Sequence, residues 1–123
     1  PKMKASKEEI RALGRITKRD DFVKINKEGK KWVSQGLVLQ AFPNAYQKIR
    51  VGFTVTKKTD ASAVNRNRMK RRLRAAAADV LPAHAASGYD YVLIARAATA
   101  DRSYDELCQD LKWCLGKLGC VKS

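Results

Sequence analysis

Tyr91-Val92-Leu93-Ile94-Ala95 is an apolar run with no polar break, and it constrains the chain more than any other stretch. A run of this kind is the pattern of a strand covered on both faces, and it predicts a buried strand over Tyr89–Ala95. Earlier in the chain, Arg50–Thr56 alternates: Val51, Phe53 and Val55 face one way, Gly52, Thr54 and Thr56 the other. Between the two lies a helix that the spacing predicts from Arg66, or slightly before, to about Leu81. Its stripe is Met69, Leu73, Ala76, Ala77, Val80 and Leu81, and Pro82 is expected to end it. A strand, a long helix and a second buried strand make a βαβ unit with parallel pairing.

The other elements are read against that unit. A short helix is expected from about Lys18 to Glu28, with Phe22 and Ile25 as its apolar pair. Thr17 and Asp20 resemble a capping box, and Gly29 is a suitable stop. Lys31–Ser34 and Leu37–Phe42 are strands, the second punctuated by Pro43-Asn44; with Arg50–Thr56 they read as a small antiparallel meander with one face buried. Ala83–Gly88 is expected to be a loop, and it holds the only histidine, His84. Ser103–Leu118 repeats apolar residues at helical spacing. The charges from Asp101 to Ser123 cancel, which suits a packing helix. Residues 1–15 carry Lys2, Lys4, Lys7, Arg11 and Arg15 with few apolar anchors, and read as a mobile basic arm. With 123 residues, 45% of them hydrophobic, residues 1–123 are taken as one domain.

Charge is where the chain departs from the ordinary. The formal net charge is +14, and Lys57–Arg74 carries eight cations against Asp60 alone, half of that excess. Within Arg66–Arg74, six of nine residues are cationic and none is acidic. Like charges at i, i+4 destabilise a helix by ~0.2–0.5 kcal/mol per pair, and Arg66/Lys70, Arg68/Arg72 and Lys70/Arg74 are all such pairs. Arg68, Lys70, Arg71 and Arg72 fall away from the apolar stripe and are expected to point outward. A run like this can be a solvated face, but the one-signed charge favours a polyanion, with nucleic acid as the usual candidate. No run approaches the ~18 apolar residues that cross a bilayer, and no signal peptide is read, so a cytoplasmic protein is expected.

Catalytic chemistry finds little support. The twelve acids are scattered, and adjacent pairs such as Asp20-Asp21 point apart on a helix. His84 has no histidine partner, and there is no glycine-rich phosphate loop. Cys108, Cys114 and Cys120 are spaced by six; each step turns a helix by ~240°, so the thiols face three ways and cannot share a metal.

Arg66-Asn67-Arg68-x-Lys70-Arg71-x-x-Arg74, preceded by Val51-Gly52-Phe53-Thr54-Val55-Thr56-Lys57-Lys58, closely resembles the signature of the protein subunit of bacterial ribonuclease P. Asp21-Phe22 and Tyr89–Arg96 match as well, and the matches span residues 16–118 in the family's order. The resemblance implies an α+β fold: a single-domain α/β sandwich in the order αβββαβα. Its sheet would have four strands, with a left-handed βαβ crossover against the usual preference. It also implies a protein that cleaves nothing itself. The family's RNA partner is the ribozyme that removes the 5′ leader of precursor tRNA, with Mg²⁺ held mainly by RNA and no cofactor bound tightly by the protein.

Two surfaces follow from the resemblance. Lys57, Lys58, Arg66, Asn67, Arg68, Lys70, Arg71, Arg72 and Arg74 would contact the RNA subunit. A cleft with Phe22, Asn26, Val38 and Gln40 would hold the single-stranded leader of precursor tRNA. Two roles fit Phe22: stacking on a base, worth ~1–3 kcal/mol, or a place in the core. Asn26 and Gln40 stand where many relatives carry aromatics, so hydrogen bonding would replace stacking there. The connection Lys57–Val64 is one residue longer than usual and lacks the family's glycine, which leaves its turn geometry open. Ala75 replaces an acid that often closes the motif. The free protein is expected to be monomeric. A basic structural ribosomal protein and a DNA-binding module reading a groove with Arg66–Arg74 are the alternatives.

Overall fold

In the computed structural model, which describes residues 13–122, the apolar run becomes β5 (Tyr89–Ala95) at the centre of a five-stranded sheet. Before it come β1 (Gly14–Arg15), α1 (Arg19–Glu28), β2 (Lys30–Val33), β3 (Leu37–Pro43), β4 (Arg50–Thr54) and α2 (Ala63–His84). A 3₁₀ turn at Ala97–Ala100 and α3 (Tyr104–Leu118) follow it. The sheet order is β1-β4-β5-β3-β2. β4 runs parallel to β5, as the βαβ reading requires, and β3 runs antiparallel to it.

That order corrects the expected meander. β2 and β3 do form an antiparallel pair, but β4 does not pair with β3, because β5 lies between them. Alternation in a strand tells which face is buried and says nothing about the neighbour. A strand apolar on both faces belongs where both are covered, and that place is the middle. The ends are laced together: Asn44 N–H donates to Gly88 O and Gly88 N–H to Lys48 O. Asn44 Nδ2 and Arg50 Nε both donate to Asp90 Oδ1, at 2.7 and 2.8 Å, so the buried carboxylate is satisfied.

The two sheet faces bear different layers. Leu37, Leu39, Ala41, Val51, Tyr91, Leu93 and Ala95 form one core with α2 and α3. On the opposite face, Ile16, Ile25 and Val92 make a smaller cluster under α1, with Phe22, Phe42 and Ile94 packed against it. Within α2 the whole expected stripe is buried.

Several boundaries differ from expectation. The sheet has five strands rather than four because Gly14–Arg15, assigned to a mobile arm, pairs parallel with β4. The rest of that arm, residues 1–12, lies outside the described residues. The Thr17–Asp20 capping box is not formed. Lys18 is the N-cap and has no side-chain hydrogen bond, while Asp20 and Asp21 both fall in the first turn. Asp21 lies 3.6 Å from Arg50. Pro82 does not end α2, which runs on to include His84. In a last turn, proline removes one backbone bond where few remain to be lost, and Ala85 N–H still reaches Leu81 O at 3.0 Å. α3 is closed at both ends. Ser103 and Glu106 form a capping box, and Gly119, at φ 71°, takes the left-handed conformation that ends the helix.

Candidate nucleic-acid interface

The start of α2 is set by a turn that needs no glycine. Thr59 and Asp60 N–H groups both donate to Thr56 O. Ser62 N–H donates to Asp60 Oδ1 at 2.9 Å, and Asn65 Nδ2 donates to Asp60 Oδ2 at 3.2 Å. Ser62 is the N-cap and accepts from Asn65 N–H at 3.3 Å. Among the described non-glycine residues, Gln47 alone has a positive φ, so this connection runs through ordinary backbone conformations. The helix therefore begins three residues before Arg66. Residues 63–65 are exposed and add nothing to the apolar stripe, so the stripe could not reveal them. Ser62 before that start was the available signal.

This turn also decides which charges are free. Asp60 is bound within the connection, and Arg66 Nη1 donates to Asp60 O and Ala61 O at 2.9 and 2.8 Å. Arg72 corrects the expectation that it points outward: it is half-buried, and it donates from Nε to Thr99 O at 3.2 Å and from Nη2 to Arg102 O. It stands beside buried Leu73, on the flank that meets the approach to α3. What remains outward is Asn67, Arg68, Arg71 and Arg74, all exposed, with half-buried Lys70 beside them and Lys57 and Lys58 exposed at the entry. Among the described residues no carboxylate lies within ion-pair distance of Arg68, Lys70, Arg71 or Arg74. Arg74 lies over the Phe53 ring at 5.6 Å. It also lines a groove of about 320 Å³ with Leu13, Arg15 and Ala77.

The opposite sheet face brings together the other four expected residues. Phe22 is half-buried on the bare backbone of Gly52, where an added Cβ would stand 2.6 Å from the ring. Gln40 is buried and donates from Nε2 to Asn26 Oδ1 at 3.0 Å, so these two residues hold each other. Val38 is half-buried, paired with Val33 on one side and Ile94 on the other, and Ile94 pairs with Thr54. Val33, Val38, Ile94 and Thr54 thus form a row across the sheet, uncapped by a second helix. Thr54, Ile94 and Val33 were not singled out from the sequence; the alternation in β4 had set Thr54 on the face opposite Val51 and Phe53, whereas the unbroken apolar run of β5 gave no face to Ile94. Lys57 comes three positions after Thr54, a reach of at most ~11 Å, so the row leads into the cationic surface.

Among the described residues no three histidine, cysteine or acidic side chains gather into a metal site. Cys108, Cys114 and Cys120 are buried, and burial pushes the Cys114 and Cys120 thiols up.

A helix whose Arg66–Arg74 stretch carries only positive charge, on the open sheet of an α+β fold with a half-covered apolar face beside it, defines a small nucleic-acid-binding protein. The chain belongs to the ribonuclease P protein family, whose model matches residues 11–119. It is 45% identical over 115 residues to the ribonuclease P protein component of Paramagnetospirillum magneticum, covering 89% of this chain and 86% of that one. It is 44% identical over 106 residues to that of Gluconacetobacter diazotrophicus, covering 85% and 90%. Solved structures agree. The Staphylococcus aureus RNase P protein superposes with a TM-score of 0.73 at 28% identity, covering 88% of this chain and 97% of that one. The Thermotoga maritima protein gives 0.71 at 26%, covering 89% and 98%. The protein is thus a subunit of an endoribonuclease that acts in tRNA processing, and the ribosomal alternative is not favoured.

Proposed function

We propose that this chain binds the catalytic RNA of ribonuclease P through the outward face of α2, and the single-stranded 5′ leader of precursor tRNA along the Phe22–Val38–Ile94 face. The observation that carries this reading is the set of cations on α2, Arg68, Lys70, Arg71 and Arg74, left without carboxylate partners among the described residues. A phosphate backbone relieves their mutual repulsion and releases counterions in exchange. The cut itself is assigned to the RNA, with Mg²⁺ held mainly there. The protein's part is to offset repulsion between ribozyme and substrate and to grip a leader that the product lacks.

The free chain is read as a monomer working in the cytoplasm. No helix among the described residues is long and apolar enough to cross a membrane. Adding the chain to a bacterial ribonuclease P RNA should raise 5′ cleavage of precursor tRNA at physiological Mg²⁺. Unchanged cleavage, with the chain co-sedimenting with ribosomes instead, would count for the ribosomal alternative.

A further inference from the structure

Neither RNA surface uses the chain's two tryptophans. Trp32 on β2 and Trp113 on α3 meet edge to face, with ring centroids 5.9 Å apart at 75°. They are 37% and 49% exposed. Lys117 Nζ stands 5.8 and 5.7 Å from the two centroids, so one ammonium is shared between both rings. Lys30, two residues before Trp32 on the same side of the strand, is exposed. The nearest acid on α3, Asp110, has both oxygens held by Arg102 at 3.1 and 2.9 Å. Gly116, three residues beyond Trp113, has open space where a side chain would be. The result is an uncovered indole surface rimmed by cations.

An aromatic face beside lysines suits an unpaired base and its phosphates, because stacking takes any base and the cations track the backbone. A second copy of this chain would bring another +14 charge to the same place, which disfavours a self-contact. We propose that Trp32, Trp113 and Lys117 form a third RNA contact, where an unpaired base stacks on Trp113 while Lys117 and Lys30 meet the flanking phosphates. The proposal rests on RNA binding by this chain, and not on which RNA the α2 face holds.

Fluorescence reads the patch directly. In the full chain carrying Trp32→Phe, Trp113 is the sole indole emitter, and an unstructured oligoadenylate should quench it. Trp113→Ala should weaken that binding about fivefold or more at fixed salt, while Trp113→Tyr should retain it. If Trp113→Ala fails to fold, Lys117→Glu is read in its place and should show the same loss. Oligoadenylate binding with unchanged emission and unchanged affinity in Trp113→Ala would overturn the patch and leave the α2 reading intact. Failure of both the oligoadenylate and ribonuclease P RNA to bind the parent chain would overturn both. Emission that depends on protein concentration without RNA, and an assembly lost in Trp113→Ala, would overturn the proposal in favour of an interface between copies.

Discussion

Phe22 lies so close to Gly52 that even a methyl group on β4 would displace its ring. The side chain is half-buried: it packs on the smaller core, and the part left exposed is what the proposed leader contact would use. Phe22→Ala should therefore weaken precursor tRNA more than mature tRNA, by ~1–3 kcal/mol in binding free energy. Equal losses for the two RNAs would remove the leader from this face. Sequence alone could not choose, because the burial of a helix aromatic depends on what the opposing strand presents. The Asn26–Gln40 hydrogen bond was hidden for the same reason. Both polar residues were legible as departures from the family, but their pairing needs the crossing of α1 over β3. Arg72 is the converse case, a cation counted from its sequence run and found bonded to carbonyl oxygens.

At the scale of elements, the helix ends carry much of what is testable. Ser62 caps α2 just where the cationic face begins, and Ser62→Ala should cost about 0.5–2 kcal/mol in chemical denaturation. No stability change would mean the cap is dispensable. In α3, Glu106 accepts from Ser103 N–H at 2.9 Å and lies 3.2 Å from Arg102. The Ser103 N–H and hydroxyl, then Arg102, hold its carboxyl below the usual range. A carboxyl depressed in the fold stabilises it above the ordinary value of about 4.3 and loses that contribution as pH falls through the lowered one. Glu106→Gln keeps a capping-box side chain but should flatten this part of the acid unfolding curve, read by circular dichroism. An unchanged curve would assign the acid sensitivity elsewhere. The helices were largely legible from their stripes, since burial at period 3.6 needs no knowledge of neighbours. Strand pairing was not, because the β3–β4 connection looked like a hairpin loop until β5 was placed between its ends.

For the whole molecule, the net charge of +14 and the parallel β4–α2–β5 unit act together. The buried stripe from Met69 to Leu81 fixes the rotation of α2 on the sheet, and that rotation sends Arg68 and Arg71 outward. The charge and the motif were readable from residues alone; which cations stay free depended on a turn and on the approach to α3. Contacts by free cations make binding fall steeply with salt, whereas a structural role for them would leave RNA affinity nearly untouched. The most direct test is cleavage of precursor tRNA at low Mg²⁺ by a bacterial ribonuclease P RNA with the chain carrying Arg68→Glu and Arg71→Glu, its fold checked by circular dichroism. If Arg68 and Arg71 carry the RNA contact, the variant stays folded, no longer binds the RNA subunit and no longer restores cleavage. Full restoration by that double variant would contradict that contact.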